Sequence, residues 1–357
     1  MNSLKYQDWF LNAAIILLAL CSLLIIFSAA PSLFWQQTVW FAIAFTIIFL
    51  FSKLNWRIIV NYRWIIFGFY FFTVLLLLTT LFLAPVIRQS RSWLVLGSSQ
   101  FQPSELAKVS LIILLSYFFA KRHIGIAHFR NIAISFLYAV IPAFIVFRQP
   151  DWGSALVLVG LWVGFLLVSG IRWRHLAIGV IILIIFAVLS WNFLLKDYQK
   201  ERIVGFLQPS HDPLGVNYNV IQAKIAIGSS GFFGKGFRQG TQTQLKFLPE
   251  SNSDFIFAAF TEEWGLVGGL MIVLLFMMVI MRIVKIGLKS ENNFSKLICL
   301  STAILFLLEF SLNVGSNLGF SPVVGVTFPF FSYGGSSLLT KALLISIIQN
   351  SAIRIRA

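Results

Sequence analysis

The chain is poor in charge: of its 357 residues 11% are charged, while 59% are hydrophobic. A soluble domain of this length needs far more charge to cover its surface, so a soluble globular fold is excluded. Acids are scarcer still, 12 against 27 Lys and Arg. The resulting net charge of +15 invites a nucleic-acid reading. Its distribution argues against one, because the basic residues sit mostly in short stretches between apolar blocks, where membrane orientation places them. Cysteine is nearly absent, and Cys21 and Cys299 each lie inside an apolar block, which implies packing and no disulfide framework. The four histidines, His123, His128, His175 and His211, form no cluster with cysteine. That leaves no metal-ligand pattern and no Ser-His-Asp arrangement.

What is abundant is apolar sequence in long blocks. Residues 11–29, 64–83 and 176–195 each give about 20 residues, the length that crosses a hydrocarbon core of roughly 30 Å. Backbone in that core finds no water, so the blocks must be helices. The pattern predicts spans near 10–29, 34–52, 62–83, 104–120, 131–147, 153–170, 175–195, 255–284, 294–317 and 338–353. The first block is too long for a signal-peptide core and no small-residue cleavage site follows it, so it reads as a retained helix. The expected fold is all-α: a polytopic membrane bundle of about ten transmembrane helices in one domain, with a single large extracytoplasmic loop over 196–253.

With ten spans both termini share a side. If that side is cytoplasmic, the inner segments carry fifteen basic residues, from Lys5 to Arg356, whereas the short outer loops carry only Arg88, Arg91 and Arg148. This asymmetry orients the bundle with both termini inside. The acids follow the opposite rule, since only Asp8 and Glu291 fall in inner segments. Polar chemistry is therefore expected at the outer face. The loop 196–253 is far longer than a compact connection needs, which marks it as functional or disordered. Its glycine run and Phe206, Phe232, Phe233 and Phe247 argue against simple disorder.

Within that frame a few segments can carry chemistry. Phe247-Leu-Pro-Glu-Ser-Asn-Ser-Asp254 sets Glu250 and Asp254 at the outer boundary of the eighth span. Asp254 fits a helix N-cap and also a catalytic base. The helix dipole would keep it ionised, while desolvation would raise its basicity. Phe328-Pro-Phe-Phe-Ser-Tyr-Gly-Gly-Ser-Ser337 joins Gly334 and Gly335 to Ser332 and other hydroxyls, a tight turn that opens a helix or meets an anion. Gly228-Ser-Ser-Gly-Phe-Phe-Gly-Lys-Gly236 resembles a phosphate loop but fails its pattern at both ends. Charges inside spans are costly and are paired or functional. Glu105 and Lys108, three apart, can pair on one helix face. Glu309, Lys341, Glu262 and Glu263 are the other intramembrane charges, and at least one of these acids should face a polar cavity.

Taken together these residues resemble a known family. Asn313, Gly319-Phe-Ser-Pro-Val-Val-Gly325 and Phe330-Phe-Ser-Tyr-Gly-Gly-Ser-Ser337 are similar to the C-terminal signature of the SEDS proteins (shape, elongation, division and sporulation). Arg91-Ser-Trp-Leu, Gln102-Pro-Ser-Glu-Leu-Ala-Lys108, Gln149-Pro-Asp-Trp-Gly-Ser154, Ala226-Ile-Gly-Ser-Ser-Gly231 and Leu248-Pro-Glu-Ser-Asn-Ser-Asp254 follow the family's order. Asp212-Pro-Leu-Gly215 and Gly240-Thr-Gln-Thr-Gln-Leu245 look more like the elongation (RodA) branch than the division (FtsW) branch. Departures are small: Ser253 stands where Thr is expected, Ala223 where Ser is expected, and Asn217-Tyr-Asn219 replaces Gly-Tyr-Gln.

The resemblance implies a peptidoglycan glycosyltransferase that polymerises lipid II at the outer face of the cytoplasmic membrane and releases undecaprenyl pyrophosphate. Carried over, Asp254 is the essential acid, suited to activate the acceptor hydroxyl. Cationic groups must then hold the leaving pyrophosphate, for which Arg91, Lys108, Arg202 and Lys341 are the candidates, with Glu105, Glu250, Ser332, Gly334 and Gly335 also lining the site. No cofactor is required by any pattern, although a divalent cation, magnesium or manganese, would suit the pyrophosphate. The implied partner is a class B penicillin-binding protein. The competing reading is a flippase for lipid-linked precursors, which should show repeat-related broken helices and access to both sides. No internal repeat is visible and the acids are skewed outward. A third reading, a scaffold, gives no reason for the Glu250/Asp254 pair.

Overall fold

Each apolar block closes its own backbone hydrogen bonds, and the polar residues between blocks set the helix ends. In the computed structural model the described residues are 3–54, 56, 62–86, 90–96, 99–121, 129–171, 177, 179, 181, 188–194, 197–208, 215 and 217–356. Asp8 starts α1 (Trp9–Ala29), its Oδ1 accepting the Leu11 N–H at 2.9 Å. Pro31 occupies the first turn of α2 (Pro31–Phe51), where its missing donor costs nothing. After α3 (Arg63–Leu83) comes a short antiparallel hairpin, β1 (Leu94–Leu96) and β2 (Ser99–Phe101), pairing Leu94 with Phe101. This hairpin is an addition to the all-α expectation. Pro103 then opens α4 (Pro103–Ala120), and α5 (Phe129–Arg148) and α6 (Trp152–Val168) follow.

The long loop is built rather than loose: it holds α7 (Asp197–Leu207), α8 (Tyr218–Gly228) and α9 (Thr241–Gln244). The chain ends in α10 (Ile256–Lys289), α11 (Asn293–Leu318) and α12 (Gly335–Arg356). Among the described residues eight helices are long and apolar enough to cross a membrane, and α6 is a shorter apolar one. They coincide with nine of the expected spans. The remaining span, 175–195, lies largely outside the described residues, as do Arg88, Asp212 and the four histidines.

Two apolar clusters hold the bundle. One joins α1, α2, α10, α11 and α12, the other α3, α4, α5 and α6, with α4 and α6 contributing to both. In the most apolar stretch of α4, 83% of residues are buried, against 22% in α2 and in α3. The short, charge-bearing α4 therefore runs through the protein interior, while α2 and α3 face lipid. At the end of the bundle away from Asp254, Asp8 pairs with Arg282 and Arg356, and Gln349 donates to the Asp8 carbonyl at 3.1 Å. These contacts stitch α1, α10 and α12 together.

The glycine run that resembled a phosphate loop has a different use. α10 is broken at Gly265 (φ +73°), and the loop fills the break. The Lys235 and Gly236 N–H groups donate to the Glu262 and Glu263 carbonyls at 3.0 Å, while the Leu266 and Val267 N–H groups donate to the Gly231 and Phe232 carbonyls at 3.0 and 3.1 Å. Backbone meets backbone so closely that a Cβ at Gly234 would stand 2.1 Å from the Glu263 oxygen. Gly234 also has φ +82°. Replacing it with alanine is therefore expected to destabilise the protein by about 1–3 kcal/mol. A thermal midpoint in detergent equal to the parent's would show that the loop does not depend on this contact.

Candidate active site

The turn that carries Asp254 is clamped from two sides. α10 opens at Ile256 with Phe255 in the cap position and no side-chain cap, so the reading of Asp254 as that cap is corrected. Capping falls to Asn317 of α11, whose Oδ1 accepts the Ala258 N–H at 3.0 Å. The Asn317 Nδ2 donates to the main-chain carbonyl of Asp254 at 2.8 Å, and the Asn313 Nδ2 donates to the same oxygen at 3.1 Å. From the other side the Ser332 hydroxyl donates to the Ser253 carbonyl at 2.7 Å, and the Tyr333 N–H to the Asn252 carbonyl at 2.8 Å. Glu250 turns the chain in the left-handed region (φ +50°), its carbonyl accepting the Ser253 and Phe255 N–H groups. Its carboxylate accepts the Ser253 hydroxyl at 3.1 Å.

The main chain of Asp254 is thus fixed while its side chain stays half-buried, its Oδ2 facing Gly325 across 3.9 Å from the position of a Cβ there. Two amides four residues apart in an apolar helix were the sequence signal for this clamp. Asn313 is in the family signature, but Asn317 was missed. An Asn317→Leu variant leaves the Ala258 N–H without its acceptor, at a cost of about 1–3 kcal/mol. The check is its thermal midpoint beside that of the parent; equality would remove Asn317 from the clamp.

A strap over 319–328 links this turn to α6, with Gly325 facing the Asp254 carboxylate. Gly319 (φ +74°) ends α11. The strap then crosses the start of α6 so closely that a Cβ at Gly153 would stand 2.2 Å from the Val324 oxygen. Asn313 also holds the Val326 carbonyl, at 2.9 Å, so one side chain ties the strap to Asp254. The Ser332 hydroxyl accepts the Phe328 N–H at 2.9 Å, closing the turn before α12. The steric demand on that turn falls on Gly335, where a Cβ would stand 2.5 Å from the Trp40 ring. At Gly334 φ is +159°, almost extended, and a Cβ would meet nothing within 3.6 Å.

Below the strap lie four buried charges. The Lys108 ammonium pairs with Glu105 at 2.8 Å and with Glu309, and Lys341 stands 3.1 Å from the second Glu309 oxygen. Lys341 also donates to the Ser337 hydroxyl and, at 3.2 Å, to that of Thr327 on the strap. The expected Glu105–Lys108 pair is thus half of a neutral four-membered set spanning α4, α11 and α12. Next to it Asp151 caps α6 through the Ser154 N–H at 3.2 Å and accepts the Gln102 amide at 2.8 Å. Burial pushes the Asp151 carboxyl up, against those hydrogen bonds.

Of the remaining residues expected at the site, Arg91 is exposed, and its N–H donates to the Gln149 carbonyl at 3.2 Å. Arg202 lies on α7, with its side chain outside the described residues. Glu262, by contrast, serves the long loop: it pairs with Lys235 at 2.9 Å and accepts the Gln242 and Thr243 N–H groups. Glu263 accepts from Ser28 and Gln244.

Fold and site define a class: a polytopic helical membrane protein with one carboxylate presented at the bundle end on a pinned main chain, above a buried ionic set. Residues 7–356 match the family described as cell cycle protein, FtsW/RodA/SpoVE, and the chain belongs to that family. It is 37% identical over 283 residues to the peptidoglycan glycosyltransferase MrdB of Escherichia coli K12, an alignment covering 79% of this chain and 76% of the relative. A solved peptidoglycan synthase complex, described as coordinating polymerization and crosslinking, contains a chain of the same fold: TM-score 0.84, 31% identity, 98% of both chains. The rod shape determining protein RodA of Thermus thermophilus superposes with a TM-score of 0.72 at 27% identity, covering 98% of this chain and 97% of that one.

Proposed function

We propose that this protein is a peptidoglycan glycosyltransferase of the RodA type, polymerising lipid II during cell elongation and shape maintenance. The observation that carries the reading is the Asp254 turn, whose main chain Asn313, Asn317 and Ser332 hold in place beneath the carboxylate. In the reaction Asp254 takes the proton of the acceptor sugar hydroxyl as that oxygen attacks the anomeric carbon of the donor. Undecaprenyl pyrophosphate leaves with the bonding electrons. The protein sits in the cytoplasmic membrane with both termini cytoplasmic and the Asp254 end outside, a placement supported by the basic residues at the opposite end.

The leaving pyrophosphate needs positive charge. Arg91 is exposed and available to supply it. Lys108 and Lys341 would first have to leave Glu105 and Glu309, so their part is to hold the polar centre under the strap. Glu250 and Asp254 are the carboxylates that would share a magnesium or manganese ion with the substrate's phosphates. Such an ion keeps most of its ligands from water and phosphate, which fits a site where, among the described residues, no three His, Cys, Asp or Glu side chains gather. The expected partner is a class B penicillin-binding protein, a reading supported by the coordination of polymerization and crosslinking described for the similar complex.

The test is polymerisation of fluorescent lipid II by the purified protein with its penicillin-binding partner in detergent or nanodiscs. Glycan strands are the expected product. Their absence with partner demonstrably bound, together with movement of lipid II between leaflets in vesicles, would replace this reading with the flippase.

A further inference from the structure

The segment that fills the break in α10 also bears, among the described residues, the most exposed aromatic pair of the long loop. Phe232 is 70% exposed and Phe233 85%. Both belong to a sequence that topology alone places in water, yet the backbone pairing at Gly265 holds them beside a spanning helix. Their depth follows from that helix. Between Glu263 and Arg282 α10 carries no charged residue, and Gly265 lies about 26 Å along the axis from Arg282. A hydrocarbon core of roughly 30 Å that begins at Arg282 therefore reaches the level of the break. Just past the break Leu266, Val267, Leu270 and Leu274 form an exposed apolar row.

The far end of the same segment is fastened to the α1–α2 corner. Phe237 stacks on Phe27 with ring centroids 6.3 Å apart, and Arg238 lies over the Phe27 ring at 4.5 Å while donating to the Phe27 carbonyl. Aromatic side chains with a cation beside them are what a membrane–water interface accommodates. Exposed backbone cannot enter that zone unless its polar groups are satisfied. Here four bonds between 231–236 and 262–267 pair the Lys235 and Gly236 N–H groups and the Gly231 and Phe232 carbonyls with the broken turn of α10.

We propose that the segment 228–238 is an interfacial wedge, with Phe232 and Phe233 inserted among the lipids of the leaflet on the Asp254 side. The occupant of this surface is lipid, because the patch continues the lipid-facing row of α10 and sits at the level where that row ends. The wedge stands on the helix that Asp254 precedes. The inference holds whether or not the chain polymerises lipid II.

The test places a nitroxide at Phe233→Cys, and separately at Phe232→Cys, in the full chain with Cys21 and Cys299 changed to alanine. The protein is reconstituted in vesicles of phosphatidylethanolamine and phosphatidylglycerol. Collision with oxygen and with a water-soluble nickel chelate is compared with labels at Leu270→Cys on the lipid face and Lys246→Cys on the exposed loop. The expected result at both positions is an oxygen-to-nickel ratio shifted to the Leu270→Cys side. A ratio like that of Lys246→Cys would overturn the wedge in favour of a water-exposed loop. A label shielded from both reagents would overturn it in favour of a protein contact.

Discussion

Asp254→Asn is expected to lower lipid II polymerisation between about a hundred-fold and ten-thousand-fold, the range general-base catalysis contributes, with no loss of fold. Asp254 is gripped through its main chain. Asn313 and Asn317 bind its main-chain carbonyl, and neighbouring residues of the turn are held through the Ser253 and Asn252 carbonyls. None of these bonds uses the carboxylate charge, and asparagine keeps the shape of aspartate. The measurement is turnover of labelled lipid II at saturating partner, beside the thermal midpoint and partner co-purification of both proteins. Loss of turnover with unchanged midpoint and binding is the expected pattern. Turnover equal to the parent's would remove Asp254 from the chemistry, and a midpoint that fell with activity would make its role structural.

The sequence made the spans legible because each is a local property, an apolar run of bilayer length. Even α4 and α5, the shortest of the expected spans apart from the last, are present. The family landmarks were legible as strings, but their meeting was not. Gly153 touching Val324, or Asn313 holding both Asp254 and Val326, depends on how the strap folds over α6, and no periodicity encodes that. The cap reading of Asp254 failed for a related reason. Asp is a favoured cap when the helix must supply its own, but α10 receives its cap from Asn317 across the bundle. The glycine run failed the phosphate-loop pattern, and its own use stayed hidden because glycine reports only close approach. What approaches is the broken turn of α10. The charges in spans were each visible, yet only Glu105 with Lys108 could be paired by spacing. Glu309 joins them from a helix about 200 residues later in the chain.

That ionic set yields the second large effect. Lys341→Met should destabilise the protein by about 3–5 kcal/mol, because it leaves a buried negative charge without its partner. Glu105, Lys108, Glu309 and Lys341 are all at most 6% exposed, and their two acids and two bases balance. Without Lys341 the single ammonium of Lys108 must serve both Glu105 and Glu309. Adding Glu309→Gln to Lys341→Met restores neutrality and leaves the 2.8 Å Glu105–Lys108 pair intact. The double variant is therefore expected to be more stable than Lys341→Met alone, which is the reverse of additivity. Thermal midpoints of the parent, the two single variants and the double variant in one detergent give the answer. Midpoints that fall in proportion to the number of substitutions would mean that the four side chains do not act as a unit. Because Lys341 also reaches Thr327 on the strap, the double variant should regain stability without regaining the parent's full rate. A full recovery of both would show that the strap does not need Lys341, and that the ionic set serves the bundle alone.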